Sequence, residues 1–376
     1  MRLALVTETY PPEINGVAMT LRRIVAGLRR RGHAVEVIRP RRDHEIEAPV
    51  MPDDATFLVP SVPLPFYPEL KLGLPTATRL AARWRQRRPD VVHVATEGLL
   101  GLSALRAARD RRIPVTSSYH TRFDLFSLHY GWAKVLAPAI RSYMRSFHAR
   151  ATCTMVPSPD VLQTLAADGI RNGRVVGRGV DSALFHPGRR TEGMRSRWGI
   201  DDDALAVIST SRLAAEKNLH VTVEAFRAIR EHVPDARLVL VGGGPLQSDL
   251  EGIEGTVLVG PVEHADVGAH LAAADLFLFP STTETFGNVL PEAMACGLAA
   301  VAYDYAAAAM HIEHGANGIA VPFDEDAAFV REAVGLAQEP ARRRAIGDAA
   351  AATAAGIGWS RIVGAFEALA EEAVRR

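Results

Sequence analysis

The sequence predicts an α/β protein built from two doubly wound, Rossmann-like domains. Three observations predict it: β-rich runs of strand length that recur between helical stretches, a break in that recurrence near Phe185–Gly188, and a length of 376 residues that suits two cores. In the first half the runs are Leu3–Val6, Ala34–Ile38, Val91–Val94, Pro114–Ser118 and Cys153–Pro157. In the second they are Ala206–Thr210, Arg237–Val241, Thr256–Val259, Leu276–Phe279, Ala299–Tyr303 and Gly318–Val321. Strands alternating with helices indicate parallel sheets covered on both faces. Pro187 and Gly188 interrupt the pattern, so the expected domains are 1–186 and 187–358. The last segment, Trp359–Val374, has apolar residues at helical spacing and reads as an amphipathic helix whose docking site its pattern does not specify. Leu58–Tyr67 is Pro-rich, apolar and aperiodic. It suits either an acceptor-side or membrane-facing loop, or a long connection pinned to a core.

Net charge is formally zero, yet 27 of the 43 Lys and Arg but only 16 of the 43 Asp and Glu fall in residues 1–188. That asymmetry suits an anionic partner for the first domain, and an Arg-rich surface of no special function would look the same. Aromatic residues make up 6% of the chain and show no basic-aromatic platform, which argues against nucleic acid. Cys153 and Cys296 lie in apolar stretches and read as buried, reduced thiols, which fits the cytoplasm. Met1–Val6 has the length of a first strand, not of a signal peptide. No apolar stretch approaches the roughly 20 residues that span a bilayer, so membrane contact is expected to be peripheral.

The most informative segment is Pro280–Gly297, where Glu284 and Glu292 flank a strand-to-helix turn. Asn288 is placed to cap the following helix, Pro291 falls in its first turn, and Gly297 stops it. Backbone N–H groups at such a start favour a phosphate, and carboxylates beside it suit sugar hydroxyls. Solvated acids in a first turn would show the same spacing. Arg212 and Lys217 follow the strand Ala206–Thr210 and suit a diphosphate. Gly242–Gly244, with Gly243 at its centre, is a turn at a strand end, not a dinucleotide fingerprint, since position 247 is Gln. Asn15 and Gly16 lie where the first strand gives way to its helix, so backbone there can approach a substrate. His120, Arg122 and Asp124 follow the strand Pro114–Ser118, and His120 suits a sugar hydroxyl or a proton relay. The Asp201–Asp203 and Asp324–Asp326 pairs read as acids that start helices, so no metal is expected.

Together these residues resemble the retaining GT-B glycosyltransferases of family 4. The likeness is carried by Glu284 and Glu292 with Phe286–Gly287 between, by Arg212 and Lys217, by Asn15–Gly16, and by His120–Thr121. The resemblance implies two domains facing across a cleft, with the C-terminal helix 359–376 crossing back to the first. It implies that Glu292 holds the ribose, Glu284 lies at the transferred sugar, and Phe286, Gly287, Asn288 and Val289 offer backbone to sugar and phosphate. Arg212 and Lys217 would grip the diphosphate, His120 the sugar, and Gly16 and Gly243 would line the donor, with Val262 near the base. Asn15, Arg122 and Asp124 fall on the acceptor side. The implied reaction moves a hexose from a nucleoside diphosphate sugar to an acceptor hydroxyl with retention, with no cofactor or metal. The openings Thr7–Pro12 and Ser118–Phe123 look most like bacterial lipid mannosyl- and glucosyltransferases. A lipid acceptor, GDP-mannose as donor and a place at the inner face of the plasma membrane are therefore expected. UDP-glucose, a soluble sugar-phosphate or polysaccharide acceptor, and a non-catalytic nucleotide-sugar-binding protein are the competing expectations.

Overall fold

A computed structural model describes residues 1–13, 15–42, 56–64, 67–120, 133–201 and 203–376. The chain forms two units, Met1–Arg178 with Trp359–Arg376, and Gly179–Gly358. The boundary therefore falls at Arg178, ahead of the break expected at Phe185–Gly188. The reason is local. The Val180 N–H donates to the Ile357 carbonyl at 2.9 Å, and Phe185 is fully buried in the second core.

In the first unit the strands are β1 (Arg2–Val6), β2 (Ala34–Pro40), β3 (Thr56–Val59), β4 (Ser61–Leu64), β5 (Tyr67–Gly73), β6 (Val91–Val94), β7 (Val115–Ser118), β8 (Cys153–Val156) and β9 (Gly173–Val175). Seven of them form a parallel sheet in the order β3-β2-β1-β6-β7-β8-β9. The remaining two, β4 and β5, pair antiparallel. Leu58–Tyr67 is thus not a plain loop: it contains the end of an edge strand and most of a hairpin arm. Prolines hide such strands from a periodicity reading, because an edge or hairpin strand tolerates a missing N–H.

The helix Gly16–Arg30 begins at Asn15, whose Oδ1 accepts from the N–H groups of Val17 (3.1 Å) and Ala18 (2.9 Å). Its buried face, with Leu21, Ile24, Val25 and Leu28, packs on the C-terminal helix Trp359–Arg375 through Val363, Phe366, Ala370 and Ala373. A Cβ at Gly27 would fall on Val363, so glycine sets how closely the two helices approach. Glu367 anchors the contact, bonding to His33 at 2.5 Å and to Arg31 at 3.1 Å. The C-terminal helix belongs to the first unit, as the resemblance implies.

The second unit holds β10 (Ala206–Thr210), β11 (Arg237–Val241), β12 (Thr256–Gly260), β13 (Leu276–Phe279), β14 (Ala299–Tyr303) and β15 (Ile319–Val321). All pairs are parallel, in the order β12-β11-β10-β13-β14-β15. Both faces are covered, since Ile208 and Phe277 enter one cluster while Val207, Leu276 and Leu278 enter the other. That is the alternation a doubly covered sheet requires. Cys153 and Cys296 are buried free thiols. Among the described residues, no helix is long and apolar enough to cross a membrane.

Candidate functional site

The strand order fixes where a ligand binds in each unit. In the second, the chain runs outward from β10 through β11 to β12, then returns to the other side of β10 as β13. Doubly wound sheets bind ligands outside the carboxyl ends of the strands at such a reversal. Lys217 lies on the loop after β10, and Glu284 on the loop after β13. Their side chains form an ion pair, each mostly withdrawn from solvent. The same Glu284 oxygen accepts from Ser281 Oγ at 2.8 Å. The Glu284 N–H donates to Tyr305 Oη at 2.9 Å, and Tyr305 Oη donates to the Ser281 carbonyl at 2.6 Å. Thr283 Oγ1 reaches the Glu216 carbonyl at 3.3 Å and laces the two loops together. Behind Lys217, Asn218 takes the left-handed conformation (φ 55°), and its amide donates to Tyr303 Oη at 3.4 Å. Tyr303 Oη in turn donates to Asp326, the residue that opens the helix Asp326–Gln338.

Arg212 is placed differently. Its side chain is 66% exposed and pairs with Glu216 at 2.5 Å, so it is an exposed, already paired cation beside a more withdrawn one. The turn Gly242–Gly244 has a packing reason that needs no ligand. A Cβ at Gly242 would fall on the Ser211 carbonyl and one at Gly244 on that of Leu213, while the Gly243 carbonyl accepts from Leu213 N at 2.9 Å.

The segment after Glu284 corrects two expectations. Asn288 is exposed, has helical angles (φ −52°, ψ −34°), and makes no side-chain cap. The helix it precedes, Val289–Ala295, has only seven residues, so its end contributes little dipole. Gly287, at φ 87°, makes the turn, and its carbonyl accepts from Leu290 N at 3.1 Å. Phe286 is a core residue, edge-on to His311 at 6.0 Å, and its carbonyl is taken by Ala307 N at 2.8 Å. Val262 and Val289 are partly buried against the same core. Glu292 meets a different side chain: its Oε1 lies 3.1 Å from Nε2 of His264, the first residue of the helix His264–Ala273 after β12. The two carboxylates therefore have separate partners, Glu284 a lysine and Glu292 a histidine. Ser281, Tyr305 and His264 were not singled out from sequence.

The first unit reverses between β1 and β6, and there the chain supplies its own anion. Glu8, just past β1, accepts from Leu100 N at 3.0 Å and from Gly73 N at 2.7 Å. Leu100 lies in the first turn of the helix Leu99–Asp110, whose N-cap Gly98 offers no side chain, and a Cβ there would fall on the Glu8 carboxylate. Burial pushes the Glu8 carboxyl up to about 7, against the pull of those two N–H groups and of Arg42. The anion cradle of this reversal is thus filled from within, whereas the reversal in the second unit offers a cation.

His120 follows β7 and is buried. Its Nδ1 lies 2.8 Å from Arg178 Nη2, and its Nε2 has no partner among the described residues. Burial, then the charges of Arg178, His93 and His148, push His120 well below the usual histidine range, so the ring is neutral. Asn15 is engaged as the helix cap, and its Nδ2 donates to Thr9 Oγ1 at 2.7 Å. Gly16 opens that helix and is exposed. Arg122 and Asp124 lie outside the described residues.

Two doubly wound parallel units define the GT-B glycosyltransferase fold. The structure superposes on a sucrose-phosphate synthase from Thermosynechococcus elongatus with a TM-score of 0.78 at 18% identity, covering 99% of this chain and 98% of the other. It matches the Anabaena HepE protein in complex with UDP equally, with a TM-score of 0.78 at 19% identity, covering 99% and 100%. Residues 14–184 match the description of Glycosyltransferase Family 4, and residues 204–339 that of Glycosyl transferases group 1. A GDP-mannose-dependent alpha-mannosyltransferase from Mycolicibacterium smegmatis is 36% identical over 81% of this chain and 80% of its own length. An alpha-monoglucosyldiacylglycerol synthase from Streptococcus pneumoniae is 28% identical over 81% and 71%. The chain belongs to the family 4 glycosyltransferases.

Proposed function

We propose that the protein is a retaining mannosyltransferase that moves mannose from GDP-mannose to a hydroxyl group of a membrane lipid, without a metal ion. The observation that carries the reading is the fixed Lys217–Glu284 pair at the reversal of the second sheet. An ammonium group has three N–H donors, so Lys217 can keep Glu284 and still meet a diphosphate. Arg212 swings in as a second cation. Glu284 orients the sugar, Glu292 takes the ribose hydroxyls, and His120 donates to a sugar hydroxyl. As the bond from the anomeric carbon to the diphosphate oxygen breaks, charge grows on the leaving group where Lys217 stands. The acceptor oxygen bonds to the same face of that carbon as its O–H bond breaks and its proton passes to the departing diphosphate oxygen, which retains the configuration. Charge neutralisation by side chains is what makes a metal unnecessary in this scheme.

Mannose from GDP-mannose is supported by the M. smegmatis relative and by 32% identity to a like-named protein from Corynebacterium glutamicum. A lipid acceptor is supported by the diacylglycerol synthases among the relatives and by the basic surplus of residues 1–188, which suits the anionic inner face of a plasma membrane.

A thermal-shift panel tests the donor. GDP-mannose is expected to raise the melting temperature more than UDP-glucose or ADP-glucose, because a ligand of the folded state stabilises in proportion to its affinity. A larger shift with UDP-glucose replaces mannose by glucose, and no shift with any sugar nucleotide defeats the reading. Glu292→Gln is expected to weaken donor affinity by about tenfold. Unchanged affinity would remove Glu292 from the ribose. Turnover is expected to persist in EDTA, and a loss restored by Mg²⁺ would refute metal independence.

A further inference from the structure

We propose that Arg178 is a positioning residue that holds His120 in the tautomer whose Nε2–H donates to a hydroxyl oxygen of the bound sugar. The inference deepens the reading of His120 given above and rests on it. A guanidinium group only donates, so the 2.8 Å contact from Arg178 Nη2 obliges His120 Nδ1 to accept. A neutral imidazole has one N–H, which must then sit on Nε2. The doubly protonated ring would set two donors against each other, and burial among Arg178, His93 and His148 already disfavours it.

The Nε2 atom is buried and lacks an acceptor among the described residues. A buried donor left without a partner is costly, so its place at the carboxyl end of β7 suits a ligand oxygen. Arg178 itself is an unusual buried residue. It is 9% exposed, and its other acceptors are the Val176 and Gly177 carbonyls at 3.4 and 3.3 Å. Among the described residues it has no carboxylate partner. Burial lowers it only to about 10, so it keeps its charge at neutral pH. A buried cation without a counter-ion is expensive to maintain, and an apolar residue would fill the space at less cost. Control of the His120 tautomer supplies a reason for it.

The test is NMR of the ligand-free, full-length protein labelled with ¹⁵N in histidine, with His120 assigned by its loss in His120→Gln. At pH 7 the His120 Nδ1 is expected to be unprotonated and Nε2 protonated. In Arg178→Met the Nδ1–H tautomer is expected to become populated and turnover to fall by about tenfold or more, with Arg178→Lys retaining the wild-type tautomer. An Nδ1–H or imidazolium form in the wild type overturns the proposal, as does an unchanged tautomer in Arg178→Met. If Arg178→Met does not fold, the wild-type spectrum decides alone. A wild-type Nε2–H tautomer in a protein that turns over no sugar nucleotide supports the Arg178 assignment while defeating the functional reading.

Discussion

Replacement of Lys217 by Ala is expected to lower turnover by roughly 10²-fold or more, because in the proposed reaction it removes a preorganised charge from the position where the leaving group gains negative charge. Glu284 pairs with the ammonium, and the Asn218–Tyr303 contact braces the loop behind it, so the charge is positioned before a ligand binds. The loss has a second part. Without Lys217 the Glu284 carboxylate keeps Ser281 but has lost its counter-charge, and it then repels a diphosphate. The double variant Lys217→Ala with Glu284→Gln is therefore expected to recover part of the donor affinity that Lys217→Ala loses, which a double-mutant cycle measures. Arg212→Ala is expected to cost less, since its side chain is largely exposed and its fork must leave Glu216 to reach a ligand. Wild-type turnover in Lys217→Ala, or a larger loss in Arg212→Ala, would move the leaving-group role away from Lys217.

The strands that cross the centre of each sheet were legible because a doubly covered parallel strand is a nearly continuous apolar run, and Ala206–Thr210 and Leu276–Phe279 fall where that pattern puts them. The edges were not. β9 has three residues, two of them exposed, and β4 carries a proline, so neither offers a period to read. The site divides the same way. Lys217 and Glu284 stood out separately as residue types on strand-end loops, but nothing local says that they touch. Their contact depends on β10 and β13 being neighbours, which is a property of strand order. The Arg212–Glu216 pair, four residues apart, could have been read directly, and it would have shown that Arg212 is already engaged. Tyr305 and His264 gave no signal of their own, because a tyrosine after a buried strand and a histidine at a helix start are ordinary. Arg178 was hidden for another reason: its partner is far away in sequence, and a buried arginine cannot be told from a surface one by type.

The first unit is expected to lose stability in acid, chiefly through its buried histidines. His93 is fully buried, with Nδ1 2.9 Å from Thr116 Oγ1 and Nε2 3.0 Å from Ser118 Oγ, and with Phe366 edge-on at 4.7 Å. Burial pushes it down to about 3, while in an unfolded chain it titrates near 6.5. Between those values the unfolded state binds a proton that the folded state refuses, so stability rises with pH. The contribution is complete above pH 6.5 and is lost as pH falls toward 3; His120 acts in the same sense. Glu8 acts oppositely. Its folded value of about 7 lies above the ordinary carboxyl value of 4.5, so its contribution is complete below 4.5 and fades as pH rises through 7. Two histidines against one carboxyl leave a net acid loss between pH 6.5 and 4.5, which steepens below 4.5 where Glu8 no longer opposes it. His93→Gln keeps a donor and an acceptor for Thr116 and Ser118 but cannot take a proton. Chemical denaturation of the first unit's transition at several pH values should therefore give a slope smaller by up to about 1.4 kcal/mol per pH unit in that variant, the limit set by one proton. A variant less stable by the same amount at every pH would show that His93 is accommodated as a charged ring, and that its network with Thr116 and Ser118 does not enforce neutrality.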